Sequence, residues 1–248
     1  MSMLPEDYEE IFNSPGGRLI SLLEIEEVLD LLERPSKQLV LDAGTGTGRV
    51  ARHLLKLSNE VVGIDTCSDR LKYALKKAKK EFEGKANNYY VVTADVHHLP
   101  FRVKSFDAIF SIRTLKYLKN PNLGFYELAR TLKHRGICVV ELSNIFGYEI
   151  LWLFLLKLFG TKKHYAQNMG SNYRLFNVFR VEKTLKNLNL TIISKKGWHK
   201  IPTILFIKCK YFTLLKILSY TESVSQKILP FFLFSRGILI KSMRLSGN

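Results

Sequence analysis

Between residues 38 and 143, five short apolar runs alternate with segments of helical period, and that alternation leaves few folds open. The runs are QLVLD (38–42), EVVGID (60–65), YYVVTAD (89–95), SFDAIFSI (105–112) and GICVVELS (136–143). Their length and lack of strict polar alternation suit strands covered on both faces. Between them, RVARHLLKL (49–57) reads as a helix. DRLKYALKKAKKEF (69–82) sets Leu71, Ala74, Leu75 and Ala78 on one face and lysines on the other, with Ser68 as the expected N-cap. PNLGFYELARTLK (121–133) is a helix expected to start at its proline. Upstream, LISLLEIEEVLDLLE (19–33) has the amphipathic period of a helix, with Pro35 as its stop. Strands alternating with helices at this spacing predict a mostly parallel α/β sheet, doubly wound, with helices on both faces.

Past residue 144 the pattern loosens. A strongly apolar helix is expected over 147–159, then a polar loop (160–174), a helix near 178–189 and one or two more across 203–229. LTIISKKGW (190–198) and RGILIKSMRL (236–245) read as two further strands, for seven in all. We expect a single domain over 1–248: a helical lead-in (1–35), a ligand-binding core (36–143), a substrate-side insertion or lid (144–180), and the rest of the sheet with its helices (181–248).

Composition narrows the class. Hydrophobic residues make up 46% and charged residues 24%, which suits a packed core and argues against disorder. Cys67, Cys138 and Cys209 are odd in number and far apart, so neither a disulfide framework nor a zinc site is expected. The opening MSMLPEDYEE is acidic and does not read as a signal peptide. No run of 18 apolar residues occurs; ILWLFLLKLF (150–159) and ILFIKCKYFTLLKIL (204–218) are broken by lysines. A cytoplasmic protein is expected, with peripheral membrane contact as an option. The net charge of +16 divides into −7 over 1–35, +9 over 36–141 and +14 over 142–248. The basic last third either keeps the surface solvated or faces an anionic partner, nucleic acid or membrane.

The bare turn VLDAGTGTGRV (40–50) is the strongest chemical signal. Gly44 suits a tight strand-to-helix turn, Gly46 lets a ligand approach the backbone, and the helix that follows favours anionic ligand groups. Thr45 and Thr47 offer hydroxyls or helix caps. A phosphate-binding P-loop requires a lysine that is not present, and in the dinucleotide fingerprint the third glycine would come one residue later, at Arg49. Asp65, at the end of the second run, suits ribose hydroxyls in NAD or in another nucleoside. Asp95 ends the third run in TADVHHLPF, where it can accept from an adenine amine while Val96 and its neighbours supply apolar contacts and N–H groups. Asp42 beneath the turn suits a cationic amino group better than a pyrophosphate. A nucleoside with a cationic amino-acid tail fits all three acids, and S-adenosyl-L-methionine is such a ligand. A nicotinamide oxidoreductase stays open on Asp65 alone.

In VLDAGTGTGRVARHL, VVGIDTCSDRLKYA, ADVHHLPFRVKSFDAIFS and ELARTLKHRGICVVE the chain resembles the class I S-adenosylmethionine-dependent methyltransferases, especially the type 11 group and its quinone-biosynthesis relatives. The resemblance covers roughly 38–143, and YEEIFNSPGGRLISLLEIEEVLDLL (8–32) resembles the group's lead-in helix. It implies a Rossmann-like fold. It also implies a cofactor site in which Gly44, Gly46 and Gly48 line the methionine part near Asp42, Asp65 takes the ribose, Asp95 takes the adenine, and Ser111 contacts the methionine side. Thr45, Thr66 and Val96 complete the expected cofactor set, and Asp107 is expected to be structural. Many relatives carry a His pair after the fourth strand; here Lys116 and Tyr117 stand in RTLKYLKNP, which puts a base at that place in doubt.

The sulfonium methyl is open to direct in-line displacement, so a protein base is needed only where the acceptor must lose a proton. Tyr117, His97, His98 and Tyr173 are the candidates. His97 and His98 also allow a proton relay or metal ligation, although no third ligand has metal-site spacing, so no metal is expected. Tyr8 and Arg18 either close over the cofactor carboxylate or belong to a solvated arm. Aromatics at 146, 148, 152, 154 and 159 either line an apolar acceptor site or pack a helix. The expected function is methyl transfer to a small, lipophilic acceptor. RNA or protein methylation through the basic last third is an alternative, and a non-catalytic cofactor-binding protein is another.

Overall fold

The computed structural model describes residues 4–10, 12–33, 38–57, 59–82, 84–147, 173–198, 214 and 235–245. The stop at Pro35, the apolar helix over 147–159, the loop that follows it and the helices over 203–229 fall wholly or almost wholly outside these residues.

Seven strands form one sheet: β1 (Leu39–Ala43), β2 (Glu60–Asp65), β3 (Tyr89–Thr93), β4 (Phe106–Ser111), β5 (Leu132–Ser143), β6 (Leu190–Trp198) and β7 (Gly237–Arg244). Their order is β3-β2-β1-β4-β5-β7-β6. β1 to β5 pair in parallel, and β7 runs antiparallel between β5 and β6. The doubly wound sheet expected from the alternation, and the Rossmann-like fold the resemblance implies, are therefore what forms, with the last described strand inserted beside the fifth.

Side-chain alternation divides the core into two layers. Val40, Val61, Ala108, Phe110 and Val139 pack on one face with α2 (Pro15–Leu31), α3 (Ala51–Lys56) and α4 (Ser68–Glu81). Leu41, Ile64, Ile109, Val140 and Ile240 pack on the other with α5 (Pro121–Thr131) and α6 (Val178–Asn187). Strict alternation would put Phe106 with Ala108; a register shift between the two sends Phe106 to the opposite layer.

Local chemistry sets the helix starts. Ser14 accepts from Gly17 N at 3.0 Å with Pro15 in the first turn, so α2 begins four residues before the amphipathic stretch at 19. Asn120 accepts from Leu123 N at 3.4 Å with Pro121 opening α5, and Asn177 accepts from Phe179 N at 3.0 Å at the start of α6. Ser68 does not cap α4. It is the first helical residue, behind Cys67, whose N–H is taken by Asp65 Oδ1 at 2.9 Å. Asp107 is a structural tie, accepting from Leu39 N at 3.0 Å and from Lys133 Nζ at 2.8 Å.

One polar cluster lies inside the apolar frame. The Glu24 carboxylate of α2 is fully buried and pairs with Arg49 from the glycine turn and with Arg113 from beyond β4, the latter at 2.8 Å. Phe12 lies under both guanidinium groups, with ring centre to Cζ distances of 4.6 and 5.5 Å. Removing the acid leaves one buried and one partly buried cation without their shared counter-charge. Glu24→Ala should lower stability by about 3–5 kcal/mol in urea melts, well beyond a typical surface substitution.

Candidate active site

The candidate side chains stand where a doubly wound sheet gathers ligand-binding groups, at and beyond the carboxyl ends of its parallel strands. β1 ends in Asp42 and Ala43, and the chain turns at Gly44, with φ of +89°. A Cβ there would collide with the Thr114 side chain, whose hydroxyl donates to Gly44 O at 3.2 Å. Gly46 also has positive φ, +55°, but a Cβ there would meet no atom within 4 Å. The two glycines therefore do different work: Gly44 accommodates a neighbouring loop, and Gly46 leaves a bare backbone facing open space.

Asp42 is buried beneath this turn. Its Oδ2 accepts the Thr45 hydroxyl at 2.7 Å, and Thr45 Oγ1 lies 2.9 Å from the Tyr89 hydroxyl. With the Thr45 proton given to Asp42, Tyr89 donates to Thr45, and a relay runs from β3 to β1. Burial pushes the Asp42 carboxyl up to about 7; the nearby Asp65 charge adds to the rise, while Thr45 and Arg49 oppose it. Thr47 is occupied too, donating to Glu9 Oε1 of α1 (Pro5–Glu10) at 2.6 Å.

Asp65 ends β2 half-buried. Its Oδ2 accepts Gly46 N at 3.0 Å and its Oδ1 accepts Cys67 N. The acid thus ties the glycine turn to the loop before α4. Thr66 is exposed beside it. Asp95 lies two residues past the end of β3, in the loop rather than in the strand, and is exposed. Val96 is buried and packs into the core rather than lining open space. Asp42, Gly46, Asp65 and Asp95 are therefore carried at the ends of three adjacent strands. Ser111 is fully buried, and its hydroxyl donates to Ala43 O at 2.8 Å, stapling β4 to β1.

Across the β4 and β5 ends, Arg113 adopts a left-handed φ of +59°. Its N–H donates to Glu141 of β5, which also pairs with Lys116 at 3.3 Å. Lys116 is buried between Tyr117 and Tyr173, and burial pushes its amine below the ordinary value. Burial and the Glu141 charge push Tyr117 upward. The Tyr173 hydroxyl donates to Ser143 Oγ at 3.0 Å. Arg18 is exposed and donates to Asn13 O, and Tyr8 packs edge-on against Phe12. Phe146 is exposed and tilted against Phe179 at 6.5 Å; the other four aromatics of that expected set lie outside the described residues. His98 is exposed, and His97 is held by Asp95 and Asn120. Among the described residues no group of three or more His, Cys, Asp and Glu gathers to hold a metal ion. Sequence reasoning missed Tyr89, Glu24, Arg113 and Glu141; Glu24 and Glu141 lie within the family-like stretches but no role there marks them, and only the anomaly at Arg49, a charge where a third glycine was sought, pointed to the cluster.

Residues 41–140 match the family model of the type 11 methyltransferase domain. The chain contains a methyltransferase domain. It is 33% identical over 118 residues to demethylmenaquinone methyltransferase of Thermotoga maritima, a stretch covering 46% of this chain and 48% of that protein. It is 31% identical over 181 residues to a malonyl-[acyl-carrier protein] O-methyltransferase of Marinomonas, covering 72% of this chain and 64% of that one. The chain thus spans about half to two thirds of these relatives' length. Magnesium protoporphyrin IX methyltransferase from Synechocystis, solved with bound S-adenosylhomocysteine, shares the fold at a TM-score of 0.63 and 16% identity, over 92% of this chain and 84% of that one. No described helix is long and apolar enough to cross a membrane.

The buried acid has a measurable consequence. Folded, Asp42 keeps its proton up to about pH 7; unfolded, it releases it near 3.8. Between those values the folded chain binds more protons, so this group's contribution makes stability fall as pH rises. Urea melts of the ligand-free protein at pH 4.5 and 8 should show Asp42→Asn gaining on the wild type at the higher pH. An equal difference at both would place the group's pKa near its ordinary value.

Proposed function

We propose that the chain transfers the methyl group of S-adenosylmethionine to a small, lipophilic acceptor, with the cofactor laid along the ends of β1, β2 and β3. The observation that carries this reading is the bare backbone at Gly46, flanked by acids at three successive strand ends. The three carboxylates suit the ligand. Asp42 suits the cationic amino group, Asp65 accepts from the ribose hydroxyls, and Asp95 accepts from the adenine amine. Gly44, Thr45 and Gly48 shape the turn around the methionine part, and Thr66 and the Val96 backbone flank the nucleoside. The Ser111 hydroxyl is engaged by Ala43, so in this reading Ser111 shapes the site through the sheet.

Bound cofactor supplies an electrophilic methyl on a sulfonium. The chain's own residues place the acceptor and exclude water. Tyr117, with its pKa raised, suits hydrogen-bond donation better than proton abstraction. His97 is engaged at both ring nitrogens, and His98 faces solvent. These placements favour an acceptor whose nucleophile needs no strong base. The exposed rings of Tyr117 and Phe146, beyond β4 and β5, support an apolar acceptor. We place acceptor selection in the 144–180 segment. The described lysines of β6 pair with acids, Lys195 with Glu182 and Lys196 with Glu27, so we read that basic strand as solvated surface rather than a polyanion site.

Calorimetric titration with S-adenosylhomocysteine tests the cofactor site. Asp65→Ala removes a charged acceptor of two ribose hydroxyls and should weaken binding about a hundredfold. Binding of NAD in place of the adenosyl ligand would overturn the reading. Gly46→Ala should cost about 1–2 kcal/mol in melts for its left-handed backbone yet weaken S-adenosylhomocysteine at least about tenfold, because its methyl enters ligand space. Gly44→Ala, which meets Thr114, should lose more stability than Gly46→Ala.

A further inference from the structure

The loop after β3 carries a histidine whose hydrogen bonds determine its tautomer. Asn120 N–H donates to His97 Nε2 at 3.2 Å. A backbone amide only donates, so Nε2 holds the lone pair and the neutral ring carries its proton on Nδ1. Nδ1 lies 2.6 Å from Asp95 Oδ1, and the ring donates into the carboxylate. The same Oδ1 accepts the His97 backbone N–H at 2.9 Å. Both bonds end on one oxygen, and Oδ2 accepts none from the described residues.

The ring is itself anchored. Asn120 caps α5, and α5 packs on the sheet through the buried Phe125 and Leu128. The His97 side chain is 14% exposed and that of Asp95 50%, so the ring forms a wall and the carboxylate faces outward. Burial opposes the carboxylate charge, but the bonds from His97 outweigh it and hold the Asp95 carboxyl below its ordinary value.

We propose that His97 is a positioning residue for adenine recognition: its Nδ1–H holds Asp95 by Oδ1 and leaves Oδ2 aimed at the exocyclic amine of the cofactor. This rests on the assignment of Asp95 to the adenine made above. His97 is then neither a base nor a metal ligand. It transmits the rigidity of α5 to a loop carboxylate that has no other side-chain support among the described residues.

The readout is the ratio of affinities for S-adenosylhomocysteine and S-inosylhomocysteine, whose ring presents a carbonyl where adenine presents an amine. An oriented Asp95 rejects the carbonyl. In His97→Asn the amide nitrogen can take the place of Nδ1 and keep the bond to Asp95. In His97→Gln the amide lies near the place of Nε2, keeping the partner of Asn120 and losing Asp95. The wild type and His97→Asn should prefer the adenosyl ligand to the same extent, within about twofold. His97→Gln and His97→Ala should lose about five- to tenfold of the preference, the worth of one hydrogen bond to a charged group. Affinity for the inosyl ligand should change little. If His97→Gln keeps the preference, or if the variants weaken both ligands equally, His97 only braces the loop and the proposal fails. If the wild type shows no preference, or Asp95→Asn retains it, the assignment of Asp95 is wrong and the role of His97 falls with it.

Discussion

The Glu24 carboxylate holds together three segments that the sheet alone would leave independent. It sits on α2, outside the βα core, with no exposed surface. Its partners arrive from the glycine turn, as Arg49, and from the loop beyond β4, as Arg113. Burying one carboxylate between two guanidinium groups is costly unless every polar group finds a partner. Here they do: Arg49 also bonds the Ser21 hydroxyl at 2.7 Å, and Phe12 covers both planar cations. The N-terminal arm is thereby part of the site's foundation. A second link, Thr47 to Glu9, carries the arm across the turn itself.

Arg113 shows what that foundation supports. A left-handed backbone is unfavourable for a residue with a Cβ and persists where surroundings over-determine it. Its guanidinium is held by Glu24, its N–H by Glu141, and the following Thr114 reaches back to Gly44. Burial disfavours the Arg113 cation, but the Glu24 charge, with Tyr8 and Glu141, more than compensates and drives its pKa upward. The loop after β4 is thus pinned from three directions beside the glycine turn.

Much of this was legible in the chain and some was not, for physical reasons. Strand and helix positions over 38–143 follow from periodicity, because both faces of a parallel sheet must be apolar. The insertion of β7 between β5 and β6 does not, since pairing order leaves no trace in local pattern. Ser14-Pro15 is a clear helix start, yet the apolar stripe at 19–33 drew the boundary inward. Asp42, Asp65 and Asp95 could be read as strand-end acids, whereas Glu24 looks like any charged residue of an amphipathic helix until Arg49 and Arg113 arrive from 25 and 89 residues away. Long-range ion pairs of that kind carry no spacing rule. Ser111 shows the converse: its position after a strand invited a ligand contact, while its hydroxyl was needed to close β4 on β1.

The strand order itself orients the proposed chemistry. β3, β2 and β1 are neighbours, so Asp95, Asp65 and Asp42 are spread across two strand spacings, about 10 Å, which is the scale of a nucleoside. The order then reverses direction in sequence, from β1 to β4 and β5, and the crevice at such a switch is where the fold admits ligands. A cofactor read by acids at β3, β2 and β1 presents its methionine end toward β4. The groups waiting there are of a different kind: a left-handed arginine, a buried lysine, two tyrosines and a serine. In the proposed reading the first half of the sheet recognises the cofactor through a bare backbone and three carboxylates. In the same reading the second half meets the methyl acceptor, with the proposed 144–180 selectivity segment following directly on β5.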